Sequence, residues 1–257
     1  MRLSLKRYIP ILLITLFTTG LSPRDPLWNL LITPSGALTP VSPGLTDMVA
    51  YYSCDDVSEG LANSLGGAAA TENANHPTYG VAGKKGTAIT IGYRAQLLTS
   101  LQSRSSATWS ISFWVKATTT AYNLMISADH SGNKGFGIQS WSGEVYAFNL
   151  AAAGGTSCYM PVGALDGDWH HIVATWNYGT VKIYRDGILR NTRSGPPMDT
   201  DYTDTFIAIG GRNNSYVGGS DNVMGSMDEI SIRTNILTAA NVLWEYNGGA
   251  GRSYSEY

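Results

Sequence analysis

One stretch of the sequence decides the fold class, Thr108-Trp-Ser-Ile-Ser-Phe-Trp-Val-Lys116. Its apolar residues recur at every second position from Trp109 to Val115, serines fill two of the three positions between them, and Lys116 follows on the same polar face. Successive side chains of a β-strand point to opposite faces, so this alternation predicts a half-buried strand. Trp114 is the exception, because it is an aromatic residue on the otherwise polar face.

The same two-residue period continues along the chain. Residues 170–176 alternate in this way, and a turn at Asn177-Tyr-Gly179 leads into a partner strand over 181–185. The dipeptide Asp186-Gly187 then predicts a tight hairpin, because both residue types tolerate a positive φ.

Two further short strands are predicted over 206–209 and 227–232. The chain offers one helix candidate, from Ala239 to Tyr246, with Thr238 as its cap and Gly248-Gly249 at its end. Strands and helices do not alternate, so the sequence predicts an all-β protein, an antiparallel sandwich of one domain.

Composition and charge exclude several classes of function. The 17 Lys+Arg and 19 Asp+Glu give a net charge of −2, which argues against a basic surface for nucleic acid. Two Cys and four His exclude a zinc ribbon or finger.

Cys54 and Cys158 would pair as a disulfide in an exported chain or lie as two buried free thiols, and the sequence leaves both alternatives open.

Residues 1–22 have two interpretations. Basic residues including Lys6 and Arg7 precede an apolar stretch over 9–17, which is the layout of a secretory signal peptide. That stretch is shorter than the roughly 20 residues that a membrane-spanning helix needs, so no transmembrane anchor is predicted. Pro10 at its start favours the alternative, a hydrophobic assembly arm that docks on a partner.

Residues 23–47 are predicted to form an extended connector, because five prolines deny them a helix or a central strand. The apolar run Leu27-Trp-Asn-Leu-Leu-Ile32 within it is expected to be covered by the domain or by a neighbouring subunit. The β-sandwich itself is expected over 48–257.

The ordered segments of this sandwich resemble those of the concanavalin A-like, laminin-G-like jelly-roll family, including its pentraxin-related branch. The segments that carry the resemblance are Val49-Ala-Tyr-Tyr-Ser-Cys-Asp-Asp56, Gly83-Lys-Lys-Gly-Thr-Ala-Ile-Thr90, Trp109-Ser-Ile-Ser-Phe-Trp-Val-Lys116, Asp168-Trp-His-His-Ile-Val-Ala-Thr175, Val181-Lys-Ile-Tyr-Arg-Asp-Gly187, Gly225-Ser-Met-Asp-Glu-Ile-Ser-Ile232 and Leu237-Thr-Ala-Ala-Asn241. The resemblance implies a two-sheet jelly-roll whose rim or concave face binds sugars, proteins or calcium, and many members have no catalytic activity.

Catalysis is not predicted. Laminarinase-type glucanases of this fold need a Glu-x-Asp-x-(x)-Glu strand, because alternate residues point into one cleft. None of the glutamates here sits in that pattern, and adjacent Asp228 and Glu229 would face opposite sides of a strand. The resemblance implies that this acidic pair ends a strand and hydrogen-bonds to neighbouring loops.

The same alternation separates His170 from His171, so we predict two structural histidines rather than a metal site.

Calcium is a candidate ligand at one rim, because pentraxin-like members bind it with the loops that correspond to 128–134 and 210–221. Ca²⁺ needs six to eight oxygen atoms. The candidate metal ligands are Asp129, Asn133, Asn213, Asn214 and Asp221. Arg212 stands where the resemblance implies an acidic residue, which argues against a tight site.

Sugar binding requires exposed aromatic faces together with polar groups that bind hydroxyls. The candidate ligand-binding residues are Trp141, Tyr146, Tyr159, Arg212, Asn213 and Tyr216. Four other aromatic residues are assigned to the core, namely Trp109, Phe113, Trp169 and Trp176.

Two functions are consistent with these observations. The first is a non-catalytic, surface-displayed component of a larger assembly, such as a virion decoration or appendage protein. Its N-terminal arm would bind neighbouring subunits, and its sandwich could also bind a glycan. The alternative is a secreted or cell-surface lectin-like carbohydrate-binding module with a cleaved signal peptide. Both place the protein at an extracellular surface and neither involves nucleic acid.

Overall fold

The stretch that decides the fold class forms a central strand of one of two sheets. The structure of the protein is a computed structural model. The residues that it describes are 38–56, 60–72, 75–92, 95–102, 108–118, 123–130, 134–141, 144–150, 154–160, 163, 165–197, 206–211 and 225–257. The predicted signal peptide or arm over 1–22, and most of the predicted connector, lie outside these residues. Residues Pro40–Tyr257 form one compact unit.

Fifteen strands lie within the described residues. They are β1 (Met48–Tyr52), β2 (Thr71–Glu72), β3 (Thr78–Ala82), β4 (Thr87–Ile91), β5 (Leu97–Gln102), β6 (Thr108–Ala117), β7 (Asn123–His130), β8 (Lys134–Trp141), β9 (Glu144–Leu150), β10 (Thr156–Tyr159), β11 (Trp169–Asn177), β12 (Thr180–Arg185), β13 (Ile188–Ser194), β14 (Phe206–Ile209) and β15 (Gly225–Arg233).

The strands form two antiparallel sheets, as the sequence predicts. The first sheet has the order β13-β12-β11-β6-β15-β4-β3, with β1 paired to β15, and the second has the order β10-β9-β8-β7-β14-β5-β2. One main hydrophobic core contains residues of both sheets, including Trp109 of β6, Phe136 of β8 and Trp176 of β11. These three rings contact one another in sequence, with Phe136 between the two tryptophans. The fold is therefore the predicted two-sheet sandwich.

The two faces of β6 are those that its alternation predicts. Its alternate residues from Trp109 to Val115 are fully buried in the main core. On the opposite face, the hydroxyl of Ser110 donates a hydrogen bond of 2.6 Å to the carbonyl oxygen of Asn235. Trp114 packs there against Tyr246, with 5.9 Å between ring centroids. The aromatic exception thus belongs to a second apolar layer, under the C-terminal helix.

The helix and the hairpin are also confirmed. Helix α1 (Ala239–Tyr246) begins at Thr238, whose hydroxyl accepts a hydrogen bond from the backbone N–H of Asn241. Asn247 ends the helix in the left-handed conformation, one residue before the predicted glycines. The turn between β12 and β13 consists of Asp186 and Gly187, both with positive φ.

Two expectations about individual residues were wrong. Trp169 was assigned to the core, but it is only partly buried. It is an odd number of residues from Trp176 and lies opposite Lys116, so strand alternation turns it away from the core. The acidic pair does not end a strand either: Asp228 and Glu229 lie inside β15, at a bulge where the register with β6 shifts.

The described end of the predicted connector is attached to the sandwich. Residues 38–47 contain no helix or strand. The N–H of Val41 donates to the carbonyl oxygen of Ala240 at 3.2 Å, and the guanidinium of Arg233 donates to the carbonyl oxygen of Gly44 at 2.8 Å. This segment therefore runs along α1 and the end of β15.

Candidate functional site

Three of the sequence-predicted sugar-binding residues lie on one face of the second sheet. In β9, Val145 and Ala147 belong to the main core, so Tyr146 between them faces away from it. Tyr159 of β10 pairs with Tyr146, and Gln139 of β8 pairs with Tyr146 on its other side. Paired residues of adjacent strands share a face of the sheet. Trp141, two residues beyond Gln139, lies on the same outer face.

The exposed part of this face consists of two aromatic rings. Trp141 is 58% exposed and Tyr159 is 44% exposed. The ring of Tyr146 is buried and lies 4.9 Å from that of Tyr159 between centroids. Tyr146 therefore supports Tyr159 rather than facing solvent. We call Trp141, Tyr159, Tyr146, Gln139 and Glu144 the aromatic face.

A small apolar cluster lies next to the aromatic face on the same side of the sheet. It contains Leu124, Tyr146 and Phe148, with half-buried Leu150 packed against it. Gly137 pairs with Phe148, and a Cβ at this position would lie 2.8 Å from the Phe148 ring. The Phe148 ring fits there because Gly137 has no side chain. This part of the outer face is therefore packed as a second apolar layer.

Two polar residues of the aromatic face were missed by the sequence analysis. Glu144 lies directly opposite Trp141 across the β8–β9 pair, and Gln139 lies between β7 and β9. The half-buried carboxylate of Glu144 could bind a sugar hydroxyl beside Trp141, whereas Gln139 is buried beneath the face. The alternation of β8 and β9 contains this information, but only the cross-strand register places both residues next to aromatic rings.

The other candidate site residues cannot be placed on this face. Arg212, Asn213, Asn214, Tyr216, Asp221 and Asn133 lie outside the described residues, and Asp129 is described only as a backbone position of β7. Among the described residues, no group of three or more His, Cys, Asp or Glu side chains is arranged to hold a metal ion. The calcium site remains a prediction.

The acidic pair is enclosed and hydrogen-bonded. One carboxylate oxygen of Asp228 accepts the backbone N–H groups of Lys84 and Lys85 at 2.7 and 2.9 Å. Glu229 accepts a hydrogen bond from the hydroxyl of Tyr51. Burial raises the pKa of Asp228 to about 7 and that of Glu229 to about 8. Both side chains are almost completely buried, so neither lies in a cleft open to a polysaccharide.

The two histidines have separate partners. Nδ1 of His170 lies 2.9 Å from a carboxylate oxygen of Asp186, and Nε2 lies 2.8 Å from Asp166. Nε2 of His171 lies 2.8 Å from the hydroxyl of Ser112, and burial lowers the pKa of this imidazole to about 4. Each histidine is thus part of the packing, as its place in the strand predicts.

The two cysteines are free thiols. Cys54 and Cys158 are both buried and unpaired with each other. Burial raises the pKa of the Cys158 thiol to about 11, and that of Cys54 also rises well above its usual value through burial and nearby carboxylates. Of the two alternatives left open by the sequence, the structure has the buried thiols.

Two antiparallel sheets around one core, with an aromatic outer face, define a lectin-like β-sandwich. A laminin-G family model, described as the concanavalin A-like lectin/glucanases superfamily, matches residues 90–243. That match covers more than half of the chain, so the chain belongs to this superfamily. No curated protein is significantly similar to the chain in sequence.

Two solved structures with a similar fold are binding domains of toxins. The binding domain of botulinum neurotoxin serotype D has a TM-score of 0.60 and 15% identity, over 79% of this chain and 51% of that domain. The binding domain of Paraclostridial Mosquitocidal Protein 1 has a TM-score of 0.60 and 14% identity, over 79% and 52%. The chain therefore spans about half the length of these two toxin domains.

A third similar structure matches over nearly its whole length. Domain 4 of AbnA, a GH43 extracellular arabinanase from Geobacillus stearothermophilus, was solved in complex with arabinotriose. It has a TM-score of 0.59 and 22% identity, over 77% of this chain and 97% of that domain. At these identities the three similarities establish the fold alone.

Within the described residues, no helix has the length and apolar character that crossing a membrane requires.

Proposed function

We propose that the protein is a non-catalytic glycan-binding module whose ligand contacts are Trp141 and Tyr159. The observation that carries this proposal is the exposure of both rings on one face of one sheet, beside the half-buried carboxylate of Glu144. Sugars present C–H surfaces that pack on aromatic rings and hydroxyls that bind such polar groups.

Two comparisons support this choice. The arabinanase domain, which matches this chain over 97% of its own length, has arabinotriose bound, and the toxin domains are named for binding rather than catalysis. The enclosed positions of Asp228 and Glu229 support the absence of hydrolytic activity. Incubation with polysaccharides should therefore release no new reducing ends.

Calorimetric titration with arabinotriose and screening on a neutral glycan array would test the proposal. Trp141→Ala and Tyr159→Ala should each weaken binding about tenfold or more, since exposed aromatic contacts dominate such sites. Tyr178→Ala is the matched control, because Tyr178 is 62% exposed but lies in the turn between β11 and β12. Loss of binding in this control as well, or unchanged binding in both site variants, would contradict the proposal.

A component of a larger assembly is the second candidate function. The observation in its favour is the attachment of residues 41–46 to α1 and β15, through the N–H of Val41 and the carbonyl oxygens of Gly44 and Thr46. A connector attached in this way would give an N-terminal arm a defined point of departure toward neighbouring subunits. In this function the sandwich would be displayed on a virion or other extracellular surface, and glycan binding could serve adhesion.

The intact mass of the protein from its natural source distinguishes the two functions. A mass near 27.6 kDa would mean that residues 1–22 are retained, as an assembly arm requires. A loss that matches those residues would mean export of a separate carbohydrate-binding module.

A further inference from the structure

We infer that the aromatic face binds an internal stretch of a neutral polysaccharide, at least three sugar units long, rather than a single terminal sugar or an acidic glycan. This inference rests on the proposed function and adds the length and charge of the ligand. It depends on the separation of the two exposed rings and on the charge beside one of them.

The two exposed rings are too far apart for one sugar. Tyr159 is on β10 and Trp141 is on β8, with β9 between them. Neighbouring strands are about 4.8 Å apart, and Trp141 lies two residues along β8 from the row that contains Tyr159, so their Cα atoms are separated by about 12 Å. Side chains stand roughly perpendicular to a sheet, so the two rings are about as far apart as their Cα atoms, and a pyranose or furanose ring that packs on one of them does not pack on the other. Two sugars must therefore make these contacts, with at least one unit between them.

The surface between the rings offers little competing contact. Tyr146 and Gln139 lie in the row that leads from Tyr159 toward β8, and they are 5% and 6% exposed. A sugar that lies over them would contact the surface of two buried side chains rather than an exposed ring. Affinity should therefore come from the two outer rings, and it should increase when one ligand is long enough to contact both.

The charge beside Trp141 opposes acidic sugars. Glu144 lies directly across from Trp141 and is half-buried. Apart from the tyrosine hydroxyls, it is the one ionisable group among the described side chains of β8, β9 and β10 on this face. A carboxylate or sulfate on a sugar packed against Trp141 would meet this like charge, which disfavours such ligands.

A series of arabino-, xylo-, gluco- and manno-oligosaccharides of one to six units tests the length. For any series that binds, affinity should rise on the order of tenfold between one and three or four units and then level off. The double variant Trp141→Ala/Tyr159→Ala should lose this length dependence, while Tyr178→Ala should keep it. A monosaccharide that binds as tightly as its hexamer would overturn the inference but leave the proposed function intact.

Polygalacturonate and arabinan test the charge. The wild-type protein should bind the acidic polymer at least about tenfold more weakly than the neutral one. Glu144→Lys should raise binding of polygalacturonate relative to arabinan, and the off-site variant Tyr178→Ala should leave this ratio within about threefold. Equal wild-type affinity for both polymers would overturn the charge inference. If no oligosaccharide or polymer binds at all, the proposed function itself fails.

Discussion

The indole Nε1 of Trp176 donates a hydrogen bond of 3.0 Å to the carbonyl oxygen of Phe148, across the space between the two sheets. Trp176 belongs to the first sheet and is fully buried, whereas Phe148 is on β9, the strand that carries Tyr146. A polar atom of the main core is thereby paired with the backbone of the strand beneath the aromatic face. The bond gives the two sheets a specific alignment that apolar packing alone would not define.

Replacement of Trp176 by Phe should lower the free energy of unfolding by about 2–3 kcal/mol, because it removes this hydrogen bond and leaves unfilled volume beside Phe136. Urea denaturation followed by circular dichroism would measure the loss. Trp141→Phe, at an exposed position, should change the same quantity by less than about 0.5 kcal/mol. Equal effects of the two substitutions would show that the cross-sheet bond contributes nothing.

His170 should make stability depend on pH. Burial alone would lower the pKa of its imidazole, but the hydrogen bonds to Asp186 and Asp166 outweigh burial and raise the pKa above 6.5. A cationic group whose pKa is raised on folding stabilises the protein fully below its unfolded value, and this contribution is lost as pH rises through the folded value. Contact with His170 is one cause that lowers the pKa values of Asp166 and Asp186 below 3.8, so their contribution to stability is lost as pH falls through the folded values. The contacts of His170 with the two aspartates therefore stabilise the protein most between pH 3.8 and pH 6.5.

Comparison of the wild type with His170→Gln by urea denaturation at several pH values would measure this contribution. The wild type should be more stable by about 1–2 kcal/mol near pH 5.5, and the difference should shrink as pH rises above 6.5. His76→Gln is the control, because the side chain of His76 is 58% exposed and pairs with one carboxylate, that of the mostly buried Glu72. A difference that grows toward alkaline pH would contradict the assignment.

The two-residue period explains why the sandwich could be predicted from the sequence. Strands β6 and β11 show it clearly, and even the exception at Trp114 was visible as a break in the pattern of β6. What a single strand does not contain is the identity of its neighbour. The second layer that receives Trp114 depends on α1, and the pairing of Tyr159 with Tyr146 depends on the register of β9 and β10.

The alternation does not predict one local feature of β15, and it corrects one wrong assignment in β11. Glu229 adopts a positive φ of 49° at the bulge in β15, which breaks the period that the sequence analysis assumed for the acidic pair. Trp169 looked like a core residue by its type, although counting in twos from Trp176 already places it on the opposite face. Only the backbone geometry shows the bulge at Glu229. For Trp169, the two-residue period predicts the correct face and the hydrophobicity of the side chain does not.

The free thiols should be chemically silent in the folded protein. Their burial and raised pKa values keep Cys54 and Cys158 protonated and inaccessible at pH 8. We expect no reaction with Ellman's reagent in the native state and two reacting thiols per chain in denaturant, with the same melting temperature with and without reductant. One fast native thiol, or a melting temperature lowered by reductant, would contradict this arrangement.

Glu229 should lower stability as pH rises. Burial raises its pKa to about 8, although the hydrogen bond from Tyr51 works in the opposite direction. An acid whose pKa is raised on folding favours the folded state most while it is protonated. Its contribution is therefore present below the unfolded value of 4.5 and is lost as pH rises through about 8.

Glu229→Gln removes the ionisation while its amide oxygen can still accept the hydrogen bond from Tyr51. Relative to the wild type, we expect this variant to gain stability as pH rises from 5 to 9, reaching an advantage of about 2 kcal/mol at the alkaline end. Urea denaturation at pH 5, 7 and 9 would measure it, with Glu144→Gln on the second sheet as the control. A variant that is less stable than the wild type at every pH would contradict this prediction. It would mean that the folded protein needs the ionised carboxylate of Glu229 at the bulge.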